Sequence, residues 1–197
     1  MRRAAAMLAL LAAGCLPRAP SPTTTEGRWA EERDRWTRSK KLYDRLDDIA
    51  FATATYQSLP VRLARVDRIA AWKGMTTEER AALEGQERAD AAQFEDFFLD
   101  FYTFDRRAND LDLPGSTWRV ALRVGDGQVL PSAVSLVPAD PTLAVLYPYV
   151  GNFDTLYRVR FPAWRGERAL AETPFRLEIS GALGRIDLDF APPKSGG

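Results

Sequence analysis

Residues Thr117–Val124, which read TWRVALRV, decide the fold of the second half of this chain. From Trp118 onward every second residue is apolar, and the residues between are small or charged. This alternation predicts a strand with one buried face and one wet face. The next residues, Gly125-Asp126-Gly127, predict a tight turn. The same alternation recurs over residues 157–161, 175–179 and 186–190.

Two weaker strand candidates, over residues 133–137 and 143–149, lie between prolines. Flanking prolines such as Pro131 and Pro148 are typical of edge strands or bulges, because proline cannot donate to a ladder. Six short strands within residues 117–191 predict an antiparallel sheet or a small sandwich.

The first half of the chain shows a helical period instead. Trp29, Trp36 and Tyr43 recur every seven residues, and this stripe predicts a long amphipathic helix from Glu26 to about Ser58. Most of the intervening residues are charged, as expected for the wet faces of such a helix.

Two further helices are predicted before the strands begin. One runs over about residues 60–72 and is closed by Gly74. The other starts at a capping box of Thr76 and Glu79 and continues to about Tyr102.

These patterns together predict an α+β protein. Three N-terminal helices within residues 26–104 precede a linker loop at 105–116 and a small antiparallel sheet or sandwich of about six strands at 117–191. Residues 192–197 are expected to form a disordered tail.

The start of the chain carries an export pattern. Arg2 and Arg3 precede a short uncharged apolar run, which ends at Cys15, the only cysteine. The run is too short to span a bilayer, which takes about 20 apolar residues. Residues 11–15, Leu-Ala-Ala-Gly-Cys, resemble the lipobox of a bacterial lipoprotein signal peptide. Simple secretion or an uncleaved anchor are the alternatives.

The resemblance implies removal of residues 1–14 and lipidation of Cys15, so that the exported protein is anchored in the lipid bilayer. Leu16 stands where an aspartate would retain the protein at the inner membrane, which favours the outer membrane. Residues 15–25 are rich in proline and threonine and predict an extended tether between lipid and fold.

Composition excludes several function classes. Removing Arg2 and Arg3 from 27 basic residues leaves 25 against 27 acidic ones, so no strong positive field exists to bind nucleic acid. The chain has no histidine, which excludes Ser-His-Asp and Cys-His arrangements and the common zinc signatures. No cofactor or metal is implied, and no catalytic residue is assigned.

Two aromatic sets are candidate binding residues. The stripe of Trp29, Trp36 and Tyr43 can serve as a docking helix for a protein partner, or as the buried face of its own helix. Aromatic residues in the proline-rich strand region can stack on sugar rings, or can plug the ends of a sandwich. This second set consists of Tyr147, Tyr149, Phe153 and Trp164.

Charged residues give weaker candidates. An acidic stretch can supply oxygen ligands for calcium or can be a solvated surface; it contains Glu95, Asp96, Asp100, Asp105, Asp110 and Asp112. A hydrolase needs a carboxylate pair across a cleft, for which the candidates are Asp100, Asp105 and Asp112. Arginines on the wet strand faces can bind acidic polymers or pair with neighbouring acids; they are Arg119, Arg123, Arg158, Arg160 and Arg176.

The function expected from these patterns is that of a non-catalytic envelope lipoprotein. It would act as an adaptor, an assembly factor or a structural component of a cell-envelope complex, with an envelope protein as partner. A glycan- or peptidoglycan-binding lipoprotein is the first alternative, and a carboxylate-dependent hydrolase is the second.

Overall fold

The computed structural model describes residues 24–44, 47–151 and 155–192. These ranges form four α-helices and nine strands, with short 3-10 turns at Arg106–Ala108 and Leu170–Glu172. The helices are α1 (Thr25–Arg35), α2 (Leu59–Lys73), α3 (Thr77–Gln93) and α4 (Pro141–Leu146). The strands are β1 (Thr37–Asp44), β2 (Asp47–Tyr56), β3 (Phe94–Thr103), β4 (Trp118–Val124), β5 (Gly127–Val129), β6 (Ala133–Leu136), β7 (Thr155–Pro162), β8 (Phe175–Gly181) and β9 (Gly184–Phe190).

The strands form two antiparallel sheets that face each other. One has the order β1-β2-β3-β7-β6 and the other has the order β5-β4-β8-β9. On one side of the sandwich the two sheets meet where Arg38 Nε of β1 donates to the carbonyl oxygen of Asp189 in β9 (3.1 Å). On the other side, the short connection from β5 to β6 carries the chain from one sheet to the other.

The prediction of three N-terminal helices followed by about six strands is wrong. The chain is α+β and contains a sandwich, but only α1 precedes the first strand, and the other helices are interspersed among strands. Three strands, β1, β2 and β3, lie within the region predicted to be helical. They supply more than half of the larger sheet.

The long helix over residues 26–58 is replaced by α1 and the β1–β2 hairpin. In β2 the residues Ala50, Ala52, Ala54 and Tyr56 are buried in alternation, each at most 4% exposed. The residues between them are β-branched or aromatic, which favours a strand. The spacing of seven residues between Trp29, Trp36 and Tyr43 therefore matches a helical repeat by chance, although these residues do not lie on one helix.

The third predicted helix ends at Gln93, and Phe94–Thr103 continues as β3. Its phenylalanines lie on both faces of the strand, so the sequence shows no clean alternation that separates a strand from a helix. The strand predicted over 143–149 is also wrong. There Asp140 caps a short helix by accepting from the Thr142 amide, and Pro141 occupies the first turn.

Several local predictions are confirmed. Gly74 closes α2 in the left-handed conformation, with φ 58°, and the capping box joins Thr76 to Glu79 at the start of α3. Strands lie at each of the four strongly alternating segments, and β6 lies at the edge of its sheet, as its prolines predicted.

The core between the sheets is largely aromatic. Phe175 and Phe190 stack at 4.9 Å, and Phe97 contacts both of them edge-on. Trp36 and Tyr56 pack edge to face at 5.2 Å beside the same cluster. Such pairs contribute about 0.5–1.5 kcal/mol each beyond the area that they bury.

Candidate functional site

The sandwich has an opening where β5 ends. The register of β5 pairs Leu122 with Val129, and its continuation would place Pro131 opposite Val120. Proline has no amide hydrogen and cannot continue the ladder. β5 therefore stops after Val129, and the first half of β4 is left without a paired strand on this side among the described residues.

The backbone of Val120 points into this opening. In an antiparallel strand, residues of the same parity direct their N–H and C=O groups toward the same neighbour. Val124 and Gly127 flank a two-residue turn and form a hydrogen-bonded pair, so Leu122 and then Val120 face the same way. The Trp118 amide, which has the same parity, donates to Ser116 Oγ (3.1 Å).

The opposite wall of the opening is β6, the edge of the larger sheet. Val137 donates to the Leu156 carbonyl (2.8 Å), which fixes Ser135 and Ala133 as residues that face β7. Val134 and Leu136 then direct their backbone groups away from β7, toward the opening. Along the described chain, no strand pairs with them there.

We call this opening the slot, and define it by the facing edges of β4 and β6. A cleft of about 760 Å³ opens here, and its lining includes Val120 of β4 and Val134 of β6, together with Leu113, Ser116, Leu130 and Pro131. Two leucines that line the cleft are more than half exposed, Leu113 at 56% and Leu130 at 52%. Leu136 of β6, two residues beyond the lining residue Val134, is 52% exposed as well. Singly exposed leucines are ordinary, but two of these three line the same cleft.

Arg119 gives the slot its charge. It is the one charged side chain among the lining residues that the structure describes. It lies on the outer face of β4, is exposed, and forms no ion pair with any described residue. The arginines Arg123 and Arg176 on the same face are instead paired with Glu178 and with Asp187 and Asp189. Among the described residues, Arg119 is thus a positive charge without a counter-charge, beside a cleft lined by both polar and apolar groups.

A second exposed surface lies on the outer face of the larger sheet. Phe51 and Tyr102 are cross-strand neighbours with ring centroids 5.7 Å apart, and Lys41 Nζ lies 4.5 Å from the Phe51 ring centre. Phe104, which follows β3, is 76% exposed. Two residues further along the same face, the hydroxyls of Ser39 in β1 and Thr53 in β2 form a hydrogen bond (2.9 Å). We call Lys41, Phe51, Tyr102 and Phe104 the aromatic face.

The residues of the predicted docking stripe lie in three different settings. Trp29 is in α1 and Trp36 follows that helix, and each is only 3% exposed. Trp29 Nε1 donates to the Leu146 carbonyl (3.2 Å), and its ring meets Tyr147 edge-on. Tyr43, in β1, is 55% exposed. The three do not form a common surface that a partner can contact.

The aromatic residues predicted to bind a glycan are mostly interior. Tyr147 is fully buried, and its hydroxyl donates to Gln57 Oε1 (3.0 Å) and accepts from Arg65 (3.2 Å). Burial raises the pKa of both Tyr147 and Tyr149. The Tyr149 hydroxyl forms a hydrogen bond with the Thr55 hydroxyl (2.7 Å). Trp164 packs against the core, and Phe153 lies outside the described residues. A sugar ring has no access to Tyr147 in this arrangement.

Asp96, one of the acidic candidates, is the centre of a buried ion network. It is 1% exposed and accepts hydrogen bonds from Arg62 (2.8 Å), Arg158 and Arg160 (2.8 Å). Burial alone would raise its pKa, but the bonds from Arg160 and Arg158 outweigh that effect and lower it to about 2. Asp90 of α3 accepts from the same two arginines, and its pKa is also lowered. The network fastens α2 and α3 to the larger sheet.

The other carboxylates do not converge. Glu95 accepts from the Tyr56 hydroxyl (2.6 Å), and Asp110 accepts from Ser116 (2.8 Å). Asp105 caps a 3-10 turn, and its hydrogen bond from Arg107 lowers its pKa, which favours the charged form over a proton donor. Asp100 is buried on β3, whereas Asp112 is half-buried in the following loop. Among the described residues, no three acidic side chains are grouped so that they can share a metal ion.

The lipobox at residues 11–15, with Cys15, lies outside the described residues, as does most of the tether. The first described residue, Thr24, caps α1 by accepting from the Gly27 amide (2.9 Å). In the described part of the chain, no helix is both long and apolar enough to cross a membrane.

Comparison of the chain with protein-family models, with curated proteins and with solved structures found no match. The slot was missed by the sequence patterns, because an unpaired edge depends on which strands become neighbours. The one available signal was Pro131, two residues after a strand and two before the next.

Proposed function

We propose that this protein is an exported, lipid-anchored binding module that acts as an adaptor or assembly factor in a cell-envelope complex. Acylation at Cys15 anchors it, preferentially at the outer membrane, and the tether lets the sandwich reach a partner. No catalytic step is assigned to it.

The slot is the observation that carries this proposal. Exposed leucines, a cleft of about 760 Å³ and an arginine that pairs with no described carboxylate coincide at one place. Apolar area at the centre of an interface, with a charge at the rim, is the usual anatomy of a protein-binding surface. The partner is accordingly a protein segment bound at the slot.

In-cell crosslinking tests this proposal. A photo-crosslinking amino acid at Leu136 should capture a defined partner, and the same group at Val145, which is 61% exposed on α4, should not. Cys15→Ala should reduce the yield, because the module would lose its membrane position. Equal products from both positions, or none from either, would count against a binding role for the slot.

The aromatic face favours glycan binding as a second candidate function. Two adjacent rings, an exposed phenylalanine and neighbouring hydroxyls offer stacking together with hydrogen bonds. Calorimetric titration with soluble peptidoglycan fragments tests it. Binding that Tyr102→Ala abolishes and Tyr43→Ala preserves would support this function, and a flat titration of the unaltered protein would reject it.

A further inference from the structure

Resting on the proposed function, we propose that the slot holds its partner as an added β-strand. The occupant is an extended segment with apolar residues at alternate positions and a carboxylate beside Arg119. Three features of the slot specify this chemistry.

The first feature is a supply of backbone groups, on both walls, that no described strand pairs with. Val120 presents its N–H and C=O from β4, and Val134 and Leu136 present theirs from β6. Sheet edges of this kind are templates for pairing with another chain. A helix, which satisfies its own backbone, would leave these groups without partners.

The second feature is the length of the site. The four residues of β6 extend over roughly 13 Å at about 3.3 Å per residue. The slot therefore accommodates a short segment, of about four to six residues, and not a whole domain.

The third feature is the difference between the two faces. On the side that faces the core of the sandwich, an added strand meets the side chains of Val134 and Leu136, which remain partly exposed to solvent. On the outer side it meets Arg119, because neighbouring strand residues alternate between faces. An inserted strand therefore places apolar residues inward and an acidic residue outward.

Selection from a displayed library of random nine-residue peptides tests the proposal on the full chain. Peptides retained by the unaltered protein should be enriched in apolar residues at alternate positions, with Asp or Glu between them. Leu136→Lys should remove the enrichment, and Val145→Lys should leave it unchanged. Urea unfolding of both variants verifies that they are folded, with Leu136→Ser as a second, uncharged variant.

Variants of the peptide that binds most tightly then separate the contribution of backbone hydrogen bonds from that of the charge. Methylating a central amide nitrogen should weaken binding about tenfold, the equivalent of one lost hydrogen bond. Changing its acidic residue to the amide should weaken binding about twofold to fivefold, as for an exposed ion pair. Arg119→Gln should remove this second difference, whereas Arg106→Gln, at an exposed arginine elsewhere, should not.

The outcomes distinguish this proposal from the function on which it depends. A partner that crosslinks at Leu136 but binds equally well with methylated amides would overturn strand addition and leave the adaptor role intact. Absence of both peptide enrichment and crosslinked partner would overturn both. Dimers of the protein that Leu136→Lys dissociates, without peptide binding, would make a second copy of the chain the occupant.

Discussion

The buried carboxylate of Asp96 allows the ion network to be tested quantitatively. Asp96→Asn removes one negative charge but keeps the shape of the side chain. Arg62, which is 1% exposed, then loses the negative charge at 2.8 Å, while its own charge stays buried with Glu87, at 3.1 Å, as the nearest remaining carboxylate. We expect the free energy of unfolding to fall by about 3 kcal/mol, because breaking a buried pair from one side costs about 3–5 kcal/mol.

The pKa of Asp96 reflects the same interaction. A fall from 3.8 to about 2 corresponds to roughly 2.5 kcal/mol of preference for the ionised carboxylate in the folded state. Since the folded pKa lies below the unfolded one, this stability is present above about pH 4 and is lost as the pH falls through 2. The stabilities of the variant and the unaltered protein should therefore converge in acid.

Urea unfolding, followed by tryptophan fluorescence at several pH values, measures both effects. Asp189→Asn is the matched control, because its carboxylate is 64% exposed and pairs with Arg176 on the open sheet face. It should cost at most about 1 kcal/mol. Adding Arg62→Met to Asp96→Asn should recover part of the loss. A cost below about 1 kcal/mol for Asp96→Asn, or a gap that stays constant down to pH 2, would refute the reasoning.

Three further changes test other parts of the structure. Gly74→Ala should lower the free energy of unfolding by about 1 kcal/mol, because the added Cβ meets no neighbour but the φ of 58° is unfavourable for alanine. Gly85→Ala, within the exposed helix α3, should raise it by up to about 1 kcal/mol, and thermal unfolding compares the two variants. Trp29→Ala should cost about 3–5 kcal/mol and Tyr43→Ala less than about 1 kcal/mol in urea titrations, and equal costs would contradict their burial. Pro131→Val should extend β5 and slow hydrogen exchange of the Val120 amide, which lies opposite position 131. Unchanged exchange would contradict the conclusion that Pro131 ends the pairing of β5 with β4.

The elements that could be predicted from the sequence are those that depend on neighbours along the chain. The closure of α2 at Gly74 and the capping box at Thr76 and Glu79 involve atoms within a few residues, and both are confirmed. Strand β4 was equally clear, because one of its faces is wet. β2 and β3 were not, since both lie centrally in a sheet, the phenylalanines of β3 lie on both of its faces, and β3 pairs with β2 and β7, which are distant in sequence.

The slot shows why an open sheet edge cannot be predicted from local sequence patterns. The alternation of β4 is the same at Val120, where the edge is open, as at Leu122, where β5 covers it. What differs is the residue that the β4–β5 register places opposite each position, and opposite Val120 that residue is Pro131. A proline placed there stops a strand whose continuation would cover the opening, as edge prolines in natural sheets do. The leucines near it remain exposed, so the stability that closing the sandwich would contribute is available to the strand that we propose for the slot.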